Sequence, residues 1–140
     1  MLDDDVVLAD LAVVLPQAVP PADMSWYLDT DGRPLLYVAF GDAREWIEKN
    51  VLVHAYVSEP RTSVRPAHRA TFVEFWELVE RAAEDADRDR RLLLMIELYE
   101  HVGWTDDVLA YLGPNALELL DAARTELAHS ARQIGRWAAP

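Results

Sequence analysis

The clearest hydrophobic periodicity in the chain lies between residues 67 and 112, where it predicts two helices and a short third. The first of these helices has apolar side chains at helical spacing and glutamates on its other side, which is typical of an amphipathic helix. Its apolar positions are Phe72, Phe75, Trp76, Val79, Ala82 and Ala83. Asp87 then precedes a second helix over residues 88–102 and is expected to cap it.

The second helix is apolar around more than half of its circumference. At 100° per residue, one broad face is formed by Leu92, Leu94, Met95, Ile96, Leu98, Tyr99 and Val102. We expect a helix this apolar to lie at the centre of the core. The narrow stripe left to meet solvent or a partner contains Glu97, Glu100 and His101, with Leu93 among them.

Two further helices are predicted after this stretch. Thr105 is expected to cap a short helix whose first turn contains Asp106 and Asp107, since carboxylates favour the positive end of the helix dipole. Pro114 suits the first position of a last helix over residues 115–137.

The N-terminal forty residues predict a helix, a stiff connector and a hairpin. The helix covers residues 6–15 and ends at Pro16, and further prolines make the connector. Residues 25–40 place aromatic and apolar runs on both sides of an Asp31-Gly32 turn, which is a hairpin pattern.

The segment after residue 41 is open to two interpretations. The spacing of Asp42 and Glu45 matches a capping box, which predicts a helix beginning there and continuing to Ala55. Residues 51–57 are β-branched and aromatic and also fit a strand. We favour the helix because the cap defines its start, and the loop over residues 59–67 is expected to be exposed and basic.

The predicted fold class is therefore mainly α: a compact bundle of about five helices with a small N-terminal β-hairpin. The 140 residues form one domain of common size. Within it, residues 1–24 form the first helix and connector, 25–40 the hairpin and 41–140 the helical core.

Charge is distributed unevenly along the chain. The net charge is -12, and residues 1–32 and 92–123 together contain thirteen of the 25 acids and none of the 13 lysines and arginines. Such a field repels nucleic acid and attracts basic partners. No apolar run approaches the roughly 20 residues of a membrane span. The acidic N-terminus and the lack of cysteine fit a cytoplasmic protein without disulfides or cysteine-ligated zinc.

Motifs for phosphate, dinucleotide, nucleophilic or paired-histidine zinc chemistry are absent from the sequence. Glu97 and His101 are four residues apart on one helix face, and with Glu100, Asp106 and Asp107 nearby they are chemically able to hold a divalent metal. A surface contact explains the same spacing, so no metal, cofactor or catalytic residue is predicted.

The aromatic and arginine residues have ordinary structural interpretations. Core packing is expected for most of the aromatic set, which comprises Trp26, Tyr27, Tyr37, Trp46, Trp76, Tyr99, Trp104 and Tyr111. Trp104, beside the acidic stripe, is the best candidate for a contact residue. A salt-bridged surface is expected for Arg61, Arg65, Arg69, Arg88, Arg90 and Arg91.

One stretch resembles a known group of proteins. The residues are Ile96-Glu97-Leu98, then Thr105-Asp106-Asp107 and Tyr111-Leu112-Gly113-Pro114. They are similar to small bacterial helical domains that look like immunity proteins encoded beside polymorphic toxins, over roughly residues 72–120. The resemblance implies a small acidic protein that binds a partner, and it transfers no catalytic residues.

The sequence thus predicts a non-enzymatic acidic interaction module that binds a basic protein and neither nucleic acid nor membrane. The expected contact residues are Glu97, Glu100, His101, Trp104, Asp106 and Asp107. One alternative is a metal-dependent or acid–base enzyme centred on the Glu97, Glu100 and His101 stripe. Another is a structural or oligomeric accessory protein that associates through the last helix. The oligomeric state stays open, a homodimer included.

Overall fold

The computed structural model describes the backbone of residues 1–54, 62–99 and 106–138. It describes the side chains in those ranges except at positions 54, 62, 106 and 127–138. The chain is mainly helical with one small antiparallel sheet, so the predicted class is confirmed. No helix in these ranges is both long and apolar enough to cross a bilayer.

The described helices outnumber the predicted five. The α-helices are α1 (Asp4–Val14), α2 (Leu36–Asn50), α3 (Arg69–Ala83), α4 (Arg88–Leu94), α5 (Asp106–Leu109) and α6 (Pro114–Ala138). The chain also contains the 3-10 helices Pro21–Tyr27 and Pro66–His68 and a π-helical segment, Met95–Tyr99, which continues α4. The strands are β1 (Leu52–His54) and β2 (Thr62–Val64).

The core lies where three layers of helices meet. The π-helical segment packs between α2 and α6, and α3 packs against α1 on one side and α6 on the other. Phe40, Phe72 and Leu94 are fully buried in this interior. The predicted periodicity of α3 and the central position of the second helix are therefore confirmed. The Asp87 cap is confirmed as well, because its Oδ1 accepts a hydrogen bond of 2.9 Å from the Arg90 amide.

The predicted N-terminal hairpin is wrong. The turn exists, with Gly32 at a φ of +77° and Asp29 Oδ1 accepting bonds from the amides of Asp31 and Arg33. Only one isolated bridge, Leu28 to Pro34, flanks it. The residues after the turn follow a helical rather than an alternating pattern, and α2 buries Leu36, Ala39, Phe40, Ala43 and Ile47.

The predicted start of the second helical region is also wrong. α2 begins at Leu36, and Asp42 lies inside it rather than capping it. The favoured continuation of this helix to Ala55 is wrong, because α2 ends at Asn50 and a strand follows: β1 pairs with β2 in a register that sets Leu52 opposite Val64. Residues 55–61 lie outside the described part of the chain. Leu52 is buried, so the β-branched pattern here reflects a half-buried strand.

The broad apolar face of the second helix is only partly buried. Leu94, Met95, Leu98 and Tyr99 lie in the core, whereas Leu92 is 39% and Ile96 46% exposed. An apolar arc of about 200° is wider than α2, α3 and α6 cover, and the wider π turn rotates the following residues away from α-helical positions.

A carboxylate from α3 fixes the start of α6. Glu80 Oε1 accepts from the amide of Asn115 at 2.8 Å, and Oε2 accepts from the amide of Ala116 at 2.9 Å. These amides belong to the first turn of α6, whose N–H groups have no partner inside the helix. Gly113 makes room for the carboxylate, because a Cβ at that position would lie 2.6 Å from Glu80 Oε2.

We expect Glu80→Ala to lower the free energy of unfolding by about 1–2 kcal/mol, since it removes the acceptor of two helix N-terminal amides. Urea unfolding at neutral pH measures this loss. Glu77→Ala is the matched control, because Glu77 is an exposed glutamate of the same helix. Equal stability of the two variants would contradict the capping role.

Candidate functional site

Most of the predicted contact residues lie outside the described part of the chain. Glu100, His101 and Trp104 belong to the residues that the structure does not describe, and Asp106 is described only in its backbone, as the first residue of α5. The described side chains are those of Glu97 and Asp107. The grouping of all six residues therefore stays a prediction.

The two described members occupy different environments. Asp107 is exposed, as expected of a contact residue. Glu97 is half-buried and packs toward α2: its Oε2 lies 3.1 Å from where a Cβ on Gly41 would be. A glycine in the middle of α2 thus leaves space for this carboxylate. Glu97 contributes to the contact between the π-helical segment and α2 as well as to the acidic stripe.

The described residues contain no group of three or more side chains able to hold a metal ion. Glu100 and His101, on which the metal hypothesis depends, lie outside the described part of the chain. The alternative of a metal-dependent or acid–base enzyme therefore also stays a prediction.

The first 32 residues form a second acidic segment, and the structure describes which of its side chains are exposed. We call the exposed residues Asp3, Asp5, Asp23, Asp31 and Trp26 the N-terminal acidic surface. No lysine or arginine occurs in residues 1–32, so the field of these carboxylates is not neutralised along the chain. Among the described side chains, Asp4 is the member of this acidic segment that forms an ion pair.

Trp26 is the most unusual member of this surface. It is 75% exposed, whereas the adjacent Tyr27 is 4% exposed. An exposed tryptophan offers a large apolar area together with an N–H donor, both of which a partner can bury. Core packing is confirmed for Tyr27, Trp76 and Tyr99 but is wrong for Trp26, and also for Tyr37, which is 54% exposed.

The sequence contains a local signal that one of Trp26 and Tyr27 is exposed. Adjacent residues of a short helix point in directions more than 90° apart, so Trp26 and Tyr27 cannot both face one core. Periodicity does not show which of the two is buried. Tyr27 is the buried one, and its hydroxyl bonds to Asp42 Oδ2 and to the carbonyl oxygen of Ala18.

Arg90 differs most from its predicted surface role. It is only 4% exposed, and its guanidinium pairs with Asp4 and lies 3.5 Å from the carbonyl oxygen of Ala82. Buried arginine is rare unless it is paired. The pair joins α1 to α4, so the Asp4 carboxylate of the acidic segment stabilises the fold.

Tyr27 anchors the segment that contains Trp26. Its hydroxyl lies 2.9 Å from Asp42 Oδ2 on α2 and 3.2 Å from the carbonyl oxygen of Ala18. Burial, followed by the hydrogen bond to the Asp42 carboxylate, raises the pKa of Tyr27 to about 12. This contact holds the 3-10 helix against α2 with Trp26 in solvent.

Comparison with protein-family models, with curated proteins and with solved structures found no match. The resemblance to immunity proteins therefore stays a prediction.

The anchor predicts a specific response to alkaline pH. An unfolded tyrosine loses its proton near pH 10, whereas folded Tyr27 keeps it to about 12. The stabilisation from this group is thus full below pH 10 and is lost as the pH rises toward 12. We expect Tyr27→Phe to cost about 1 kcal/mol at pH 7 and to make the alkaline decline shallower.

Urea unfolding at pH 7, 10 and 11 checks this expectation. Tyr99 keeps part of the decline in both proteins, because burial and the charge of Glu80 raise its pKa as well. The exposed Tyr37→Phe is the matched control and should follow the wild-type profile. A Tyr27→Phe profile parallel to the wild type would argue against the anchor.

Proposed function

We propose that this protein is a non-enzymatic, cytoplasmic interaction module that binds a basic partner protein, with an immunity or antitoxin role as its most specific form. The supporting observation is Trp26, a largely exposed tryptophan inside an acidic segment that contains no basic residue. Tryptophan is among the residues that contribute most binding free energy when a partner buries them.

The charge of the surface supports a basic partner. Carboxylates at Asp3, Asp5, Asp23 and Asp31 face solvent around a segment of uniform sign. A field of this kind accelerates encounter with a positively charged protein and repels acidic ones and nucleic acid. Steering by carboxylates and anchoring by an aromatic side chain are complementary, since rim charges mainly affect association and buried aromatic contacts mainly affect dissociation.

The mode of action follows from these properties. A small acidic domain that covers a basic surface blocks it sterically and neutralises its charge at the same time. A toxin whose basic surface recognises nucleic acid is the kind of target that such a module would inactivate. The predicted contact residues Glu97, Glu100, His101, Trp104, Asp106 and Asp107 supply a second acidic surface for the same partner.

The first test is capture of partners from a lysate of the source cells by the immobilised full chain, at low and then high salt. We expect a basic protein that is released by salt. The affinity of the purified pair is then measured by calorimetry, and Trp26→Ser should weaken it about tenfold or more. The control is Val73→Ser, which changes an exposed apolar residue on a different helix, α3, and should leave binding unchanged.

Charge reversal separates steering from anchoring. Asp5, Asp23 and Asp31 changed together to Lys should reduce both the association rate and its dependence on salt. The control changes Glu74, Glu77 and Glu84 to Lys, three exposed acids at α3 and its C-terminal end, with the same change in net charge. Equal effects of the two triple variants would show that net charge alone matters and would contradict a defined surface.

The predicted second surface has its own test. Glu100→Lys and Asp107→Lys together should weaken binding with little change in melting temperature. Glu97 is changed to Gln in this variant, since a Lys beside Gly41 would disturb the contact with α2. Unchanged affinity would remove these residues from the interface and leave the N-terminal acidic surface as the contact region.

A further inference from the structure

A cleft of about 210 Å³ opens between the connector that follows α1 and the helix α2. Residues 17 and 18 form one side, and the polar face of α2 forms the other, with Asp42, Glu45, Trp46 and Lys49 on successive turns. Tyr27, which follows Trp26 in the chain, contacts both sides through Asp42 and Ala18. The cleft is therefore structurally continuous with the segment that contains Trp26.

The polar groups of the cleft favour a cation. The carboxylate of Asp42 is held in place by the Tyr27 hydroxyl at 2.9 Å. Glu45 already binds an ammonium group: Lys49 Nζ lies 2.8 Å from its Oε1, and this contact lowers the pKa of Glu45. The Glu45 carboxylate at the edge of this cleft therefore pairs with a cationic side chain of the same helix.

The aromatic member of the cleft adds a flat surface. Trp46 is half-buried, and its ring meets the ring of His68 edge-on with centroids 5.8 Å apart. This contact restricts the indole while part of it lines the cleft. Tryptophan is the most effective aromatic partner for a cation, and guanidinium stacks on it more often than ammonium does.

We propose that this cleft is a receptor for one arginine side chain of a basic partner. The assignment rests on the proposed function, and it names the chemical group that the protein recognises. A planar guanidinium suits an indole face and two carboxylates, because it stacks and donates in several directions at once, whereas an ammonium is a compact point charge.

Lys49 is the group that an incoming arginine replaces. The side chains of Lys49 and Glu45 are 69% and 57% exposed, and an ion pair this exposed is held weakly. The lysine moves into solvent when a guanidinium that also stacks on Trp46 enters. Lys49 therefore competes with the ligand, and its removal strengthens binding.

The test is a titration of the full ¹⁵N-labelled chain with N-acetyl-arginine methylamide at constant ionic strength. The indole N–H resonance of Trp46, assigned with Trp46→Phe, is expected to shift to saturation. Asp42→Asn and Glu45→Gln should each weaken binding roughly two- to fivefold, which is the effect of one exposed charge pair. Lys49→Met should strengthen it by about the same factor.

One control variant and one uncharged ligand test whether binding is specific to the cleft and to the positive charge. Glu74→Gln removes an exposed carboxylate outside the cleft and should bind like the wild type, and the uncharged citrulline analogue should give no saturable shift. Asp42→Asn keeps an oxygen for the Tyr27 bond, and exposed Glu45→Gln tests the same cleft without touching that bond. Absence of a saturable Trp46 shift, or wild-type binding by both variants, would overturn the assignment.

This titration needs no partner protein. Arginine binding without captured partners would support the cleft and count against the proposed function. Capture of a basic partner together with no response of Trp46 would support the proposed function and count against the cleft.

Discussion

The peptide groups around Ala116 are the point on which the interior depends. The Ala116 amide donates to Glu80 from α3, and its carbonyl oxygen accepts a 2.9 Å bond from the hydroxyl of Tyr99 in the π-helical segment. Three elements thus meet at one residue, which is itself fully buried. The Tyr99 bond is buried and the Glu80 bond is partly buried, and leaving a buried donor or acceptor unpaired costs about 1–3 kcal/mol, so both bonds help to fix the position of α6.

The acidic N-terminal segment is attached to this interior by two polar contacts rather than by apolar packing alone. Arg90 pairs with Asp4 of α1, and Tyr27 bonds to Asp42 of α2. The other carboxylates of the segment, such as Asp3, Asp5 and Asp23, stay exposed to solvent. The exposed carboxylates of this segment create a strongly negative field, which attracts positively charged molecules.

The exposed aromatic residue and the polar cleft give complementary accounts of recognition. Trp26 offers apolar area that a partner can bury, and the cleft at Trp46 offers carboxylates beside an indole for a single cation. An interface usually combines a few such anchors with many weaker contacts. The two features lie on segments joined through Tyr27, and in the proposed complex one basic protein surface with a projecting arginine would contact both.

Local signals in the sequence determined much of this protein. The period of α3 and the Asp87 cap each depend on residues within one or two turns of each other, and the uneven charge depends on the sequence alone. Pro114 marks the start of α6 locally, but the carboxylate that accepts from its first amides comes from Glu80 on α3. The tertiary structure decided that α2 begins at Leu36, that Tyr27 rather than Trp26 is buried, and that Arg90 lies inside. Asp42 bonds to Tyr27, fifteen residues away, and Arg90 pairs with Asp4, 86 residues away. Whether a polar side chain caps, pairs or faces solvent is set by which distant partner the fold brings within hydrogen-bond distance, and no local pattern contains that information.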